Sequence, residues 1–241
     1  MRDLITTILE DSIRVKRQAI EAQMDALLAA ADMLVTCVAS GHKILLFGNG
    51  GSAADAQHLA AEFVNRFQIE RHPLPALALT TDTSIITSIG NDYTFEQIFS
   101  KQIQALGKRG DVAWGLSTSG NSPNVLAGMR AARELGLRCL GMTGQGGALI
   151  EASDLVLTVP TATTARVQET HIIMGHMLCQ LVDQTLFPGC PFQLPQPQPD
   201  EHRQQEQRYQ CRPQSGPEYE SSESHSDNQF AILPATLKST C

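Results

Sequence analysis

The chain is poor in the features that mark several large classes of protein. Aromatic residues make up 5% of its 241 positions, and Lys and Arg total 18 against 25 Asp and Glu, for a formal charge of −7. No basic cluster interleaved with aromatics occurs, which argues against a nucleic-acid footprint or an anionic membrane surface. The longest apolar stretch, ALLAAADMLVTCVAS, is interrupted by Asp32 and is too short to cross a bilayer. The N-terminus, MRDLITTILEDS, has acidic residues where a secretory signal needs an apolar core, so a cytoplasmic location is expected. The six cysteines are scattered without CxxC spacing and read as reduced thiols rather than a disulfide frame or a thiolate metal site. None of this excludes a small anionic substrate, because backbone N–H groups bind anions without cationic side chains.

Composition changes at Pro188. Eight of the twelve prolines lie from there onward, among many Gln, Ser and Glu. Such a segment buries too little apolar surface to offset its ordering entropy, so 188–241 is expected to be a disordered tail and 1–187 the folded domain. About 190 residues suffice to bury roughly 70% of the unfolded surface without covalent staples.

Within 1–187 five short apolar runs read as strands: KILLF (43–47), PALALT (75–80), VAWGLS (112–117), RCLGMT (138–143) and LVLTV (155–159). They do not alternate with polar residues, as expected for strands covered on both faces. Helical patterns over 53–66, 93–107, 122–135 and 147–152 separate them, and long helices over 12–40 and 165–186 bracket the set. The expected fold is α/β, with a mainly five-stranded, parallel, doubly wound sheet flanked by helices and with long N- and C-terminal helices. Ligands of such sheets bind at the carboxyl ends of the strands. There the sequence places GNGGS (48–52), TDTS (81–84) leading to GND (90–92), STSGNS (117–122) and TGQGG (143–147).

STSGNS offers Ser117, Thr118, Ser119 and Ser122, with Gly120 allowing close backbone approach and a helix N-terminus following. Simple capping by Asn121 or Ser122 needs one such residue. The surplus of hydroxyls points to a phosphate. GNGGSA fits the G-x-G-x-x-A register of a dinucleotide site only loosely, and Asp82 falls about ten residues late for the ribose carboxylate. No nucleotide cofactor is expected.

His58 and Glu62 stand four residues apart, on one helical face just beyond the first glycine loop. As an isolated pair they would read as a surface ion pair or a core histidine. The last helix changes that, because Gln168, Ile172 and His176 form one line on an otherwise apolar segment. Two imidazoles, a carboxylate and a carboxamide suit a divalent metal, zinc above all, and equally suit an acid and a base with orienting partners. His171 is off that line and reads as structural.

Taken together and in order, FGNGGSAADAQHLAAE, TSIGNDYTFEQIFSKQI, GDVAWGLSTSGNS, GMTGQGG and ARVQETHIIMGH resemble the phosphoheptose isomerases of the sugar-isomerase (SIS) domain superfamily. The resemblance covers residues 1–187. It implies the SIS fold and the isomerisation of sedoheptulose 7-phosphate to D-glycero-D-manno-heptose 7-phosphate, the first step toward ADP-heptose for the lipopolysaccharide core. It implies a cytoplasmic homotetramer acting on a phosphorylated seven-carbon sugar, with one Zn²⁺ per subunit and no nucleic-acid or membrane partner. Carried onto this chain, substrate contacts fall on Asn49, Gly50, Gly51, Glu62, Asn91, Asp92, Ser117, Thr118, Ser119, Ser122 and Gln168. Metal ligands fall on His58, Glu62, Gln168 and His176, and proton transfer on Glu62 and His176. A related branch, the SIS proteins that associate with the replication initiator, is the alternative: a non-catalytic protein binding a phosphosugar or the initiator. Glu62, His176 and an intact STSGNS side with the enzymes.

Overall fold

The computed structural model describes residues 1–189. The expected tail over 188–241 lies outside the described residues except for its first two positions. Five strands, β1 (Ile44–Gly48), β2 (Ala76–Ala78), β3 (Val112–Ser117), β4 (Arg138–Thr143) and β5 (Leu155–Thr158), form one parallel sheet in the order β2-β1-β3-β4-β5. The expected fold class is therefore the observed one. The edge strands are shorter and wetter than their sequences suggest: β2 pairs over three residues, and only Ala78 of it is buried. Full burial belongs to the central strands β1 and β3.

Alternation along the central strands divides the core. Ile44 and Leu46 of β1, with Val112, Trp114 and Leu116 of β3, face one layer; Leu45 and Phe47, with Ala113, face the other. The first layer is built by α2 (Met24–Ala39), α3 (Gly51–Val64) and α8 (Thr164–Leu186), the second by α5 (Ile98–Leu106) and α6 (Pro123–Glu134), with α4 (Thr83–Asp92) and the short α7 (Leu149–Ala152) at its margins. Among the described residues no single helix is long and apolar enough to cross a membrane.

Two elements differ from the sequence reading. The long N-terminal helix is two helices, α1 (Arg2–Ala22) and α2, bent by 70°. Helical periodicity runs unbroken through the bend, so no local signal marks it. The break is fixed by a distant partner: the Gln23 amide donates to the Thr158 hydroxyl at 3.1 Å and accepts from its backbone N–H, which docks the corner on β5. The helix expected over 93–107 begins only at Ile98, after a 3-10 turn (Phe95–Gln97). The stretch before it, expected as loop, is α4, opened by Asp82, whose carboxylate accepts from the Ile85 N–H at 2.9 Å.

The strand order reverses between β1 and β3. Gly48 pairs with Leu116 across that boundary, so the loops after these two strands lie side by side. A doubly wound sheet opens its ligand crevice at this point.

Candidate functional site

The loop after β3 clusters its hydroxyls, and Ser119 Oγ also accepts from the Asn121 N–H at 3.2 Å. The Ser117 and Ser122 hydroxyls are 2.9 Å apart and those of Ser117 and Ser119 3.5 Å. Ser122 occupies the N-cap position of α6, yet its side chain makes no capping bond. Asn121 does not cap either: its carboxamide accepts from the Ala148 N–H at 2.9 Å and ties the loop to the one after β4. Capping of α6 by Asn121 or Ser122 is thereby excluded. Ser117 is buried, Thr118 and Ser122 half-buried and Ser119 exposed, so the hydroxyls are graded from the strand end outward.

The loop after β4 acts as a brace. Gly144 N–H donates to the Thr118 carbonyl and Leu149 N–H to the Gly120 carbonyl. Gly120 sits at φ +67°, and a Cβ there would run into the Gly146 carbonyl. Only glycine accommodates both the backbone conformation and the contact.

A second link crosses the crevice. Asn49, after β1, and Asn124, in α6, exchange two amide hydrogen bonds of 2.8 Å each, and the Asn124 oxygen also accepts from the Val125 N–H. Asn49 was expected to touch substrate. The structure gives it this further partner, and Asn124 was missed. Its signal in the sequence is a second asparagine, two residues beyond STSGNS, inside the first turn of the helix that follows.

The ionisable cluster lies where α3 and α8 run side by side in parallel. Gly51 adjoins Gln168 at one end, and a Cβ on Gly175 would lie 2.6 Å from Leu59 further along. Gly175 therefore permits the close approach that brings the next residue, His176, to α3. The Nε2 atoms of His58 and His176 are 2.8 Å apart, and His58 Nε2 is 3.4 Å from Glu62 Oε1. One ligand atom from each of the three side chains falls within 4.8 Å of the others. In a tetrahedral zinc site with bonds of about 2.05 Å, neighbouring donor atoms are about 3.3 Å apart. The donor types and spacings of His58, Glu62 and His176 fit such an ion after a spread of about half an ångström between the imidazoles. Burial pushes the His176 imidazole below its ordinary value, His58 adds to that, and Glu62 opposes it. Phe67, another residue missed in the sequence, stacks on the His176 ring with centroids 5.3 Å apart.

Gln168 is directed at Gly51, about 12 Å along the helix axis from His176. Asn91 and Asp92 occupy the exposed last turn of α4, where the Asn91 amide donates to the Asp92 carboxylate at 2.8 Å. Among the described contacts neither meets the cluster or the hydroxyl loop.

His171 is structural, as expected. It is fully buried, its Nε2 lies 3.2 Å from the Thr143 carbonyl, and burial lowers its pKa to about 4. The unfolded chain takes up this proton near pH 6.5 and the folded chain only near 4. Its contribution is thus complete above pH 6.5 and is lost as pH falls toward 4, by up to about 3 kcal/mol. Urea unfolding between pH 7 and pH 4 should show a steeper loss for the parent than for His171→Gln. Equal slopes would mean that His171 is protonated in the folded protein.

Against this geometry, sequence and structure comparisons agree. The SIS domain family matches residues 9–144. The phosphoheptose isomerase of Nitratidesulfovibrio vulgaris Hildenborough is 57% identical over 178 residues, covering 73% of this chain and 86% of that one. That of Roseiflexus sp. is 55% identical over 180 residues, covering 74% and 91%. Among solved structures, the phosphoheptose isomerase of Neisseria gonorrhoeae is similar at a TM-score of 0.72 and 43% identity, covering 76% of this chain and 98% of that one. The enzyme from Francisella tularensis gives 0.73 and 41%, covering 76% and 97%. The chain belongs to the phosphoheptose isomerase family of SIS-domain proteins.

Proposed function

We propose that this chain interconverts sedoheptulose 7-phosphate and D-glycero-D-manno-heptose 7-phosphate by enediol proton transfer, in the cytoplasm, as the step that opens ADP-heptose synthesis for lipopolysaccharide. The observation that carries this reading is the convergence of Glu62 and His176, from two different helices, on a sheet whose central strand β3 ends in a loop of clustered hydroxyls. Turning the ketose into the aldose removes a proton from C1, returns one to C2, and moves a third from O1 to O2. Two acid–base groups within reach of the reacting carbons and oxygens suffice, each typically worth 10²–10⁴-fold. The loop of Ser117, Thr118, Ser119 and Ser122 holds the phosphate at the far end of the chain. Its binding energy then orients the reacting carbons. Asn49, Gly50, Gly51 and Gln168 line the path between the two. His58, Glu62 and His176, with Gln168 at the rim, would hold a Zn²⁺ ion, which would supply Lewis-acid stabilisation of the sugar oxygens. Phe67 covers His176 on one side, and His58 Nε2 lies 2.8 Å from His176 Nε2 and 3.4 Å from Glu62 Oε1, which keeps the three groups together.

The test is a coupled assay on sedoheptulose 7-phosphate alongside capture by immobilised replication initiator. Turnover supports the enzyme. Capture without turnover would support the non-catalytic branch and overturn the proposal.

The assembly reading is a homotetramer. Leu4, Ile5, Ile8, Leu9 and Ile13 form an exposed stripe on α1, each at least 46% accessible in the single chain. Helix faces of this kind are covered by symmetric association. Ile5→Glu combined with Leu9→Glu should shift the species seen by light scattering to a smaller mass. An unchanged mass would put the interface elsewhere.

A further inference from the structure

The segment after α3 carries an ion pair that the chemistry above does not use. Arg71 and Asp183 are both nearly inaccessible, and Arg71 Nε donates to Asp183 Oδ1 at 2.7 Å. The rest of the guanidinium faces the end of α3. Nη2 donates to the Glu62 carbonyl at 2.8 Å, and Nη1 to the Phe63 carbonyl at 2.8 Å and the His72 carbonyl at 3.1 Å. These α3 carbonyls belong to the last turn of the helix, where no intrahelical donor reaches them, and a cation at that end also favours the helix dipole. Asp183 follows His176 by seven residues, two helical turns on the same face of α8. One side chain thus grips the backbone of Glu62 and the helix that carries His176. The same short segment also supplies Phe67 to the His176 ring.

We propose that the Arg71–Asp183 pair is a positioning device for the reaction: it fixes the last turn of α3 against α8 and so holds the Glu62 carboxylate in register with His176. A terminal helical turn without such a clamp frays, and Glu62 sits in the last three residues of α3. A buried ion pair adds little net stability compared with an apolar pair of the same volume. Its value here is geometric, because the planar fork reaches two α3 carbonyls, the His72 carbonyl and a carboxylate at once, which a lysine cannot do.

The inference rests on the isomerase reading, and its test separates the two. Arg71→Lys keeps the charge beside Asp183 and removes the fork. In the full-length protein as purified, it should lower kcat on sedoheptulose 7-phosphate by about 10–100-fold, the usual cost of losing a group that orients an active-site ligand. KM should stay within about threefold, because the phosphate loop is untouched. Amide exchange in the last turn of α3 should accelerate about tenfold or more, an effect that needs no turnover to be seen. Asp183→Asn, which retains the acceptor oxygen but not the charge, should fall between Arg71→Lys and the parent. A folded Arg71→Lys with parental kcat and parental exchange overturns the proposal, as does a loss carried in KM alone. Should neither variant fold, the pair is structural and the proposal fails. An inactive parent whose α3 exchange still responds to Arg71→Lys would refute the isomerase reading while leaving the clamp in place.

Discussion

Glu62→Gln should abolish turnover while leaving the fold intact. Glu62 is half-buried, and its Oε1 lies 3.4 Å from His58 Nε2. Glutamine has the same length and retains an oxygen at that position, so the packing between α3 and α8 is preserved. It has no basic carboxylate, however, and a lost general base costs at least about 10² in kcat. The same change weakens the metal donor set, since a neutral amide oxygen replaces a charged ligand. Zn²⁺ affinity should therefore fall alongside kcat, and the melting temperature of the metal-free protein should not. Coupled assay, metal titration and thermal denaturation check the three statements. Activity within a few-fold of the parent would remove Glu62 from the mechanism.

Gly120→Ala should raise KM for the phosphorylated sugar by about tenfold or more, equivalent to about 1.4 kcal/mol of lost binding. Two effects combine. At φ +67° an alanine is strained, and its Cβ would meet the Gly146 carbonyl and lie 2.6 Å from the Thr143 hydroxyl and 2.9 Å from the Gly147 Cα. Most of these atoms are backbone and cannot rotate away. The loop after β3 must therefore part from the loop after β4, and the hydroxyls of Ser117, Ser119 and Ser122 lose their common orientation. The effect should appear in KM more than in kcat, because Glu62 and His176 lie on other elements. A KM within twofold of the parent would show that STSGNS does not bind the phosphate.

How much of this was legible before folding depends on the range of the interaction that decides each feature. The five strands, their parallel pairing and the expectation of a site at their carboxyl ends follow from short apolar runs separated by helical patterns, because hydrophobic periodicity is local. The hydroxyl loop was legible for the same reason: four hydroxyls and a glycine between a strand and a helix form a contiguous segment. His58 and Glu62 were paired by helical spacing alone. Their meeting with His176 is not local, since nothing in a one-dimensional pattern states that two helices lie in parallel with Gly175 against Leu59.

The other features depend on contacts between residues far apart in the chain. The bend at Gln23 depends on Thr158, 135 residues away. Asn124 gains its role from Asn49, across the crevice, and Arg71 from Asp183, on another helix. The α4 helix contradicted the expected loop at Asn91 and Asp92: polar, β-branched TSIIT reads as weakly helical, and the Asp82 cap overrides that propensity. Which chemistry the chain carries is legible from residue types and local spacing, which are enough to specify an anion loop and a set of acid–base or metal-binding groups. The fold decided which of those groups meet, because meeting requires long-range packing, and the contacts that bring it about are made by residues with no distinctive local pattern of their own.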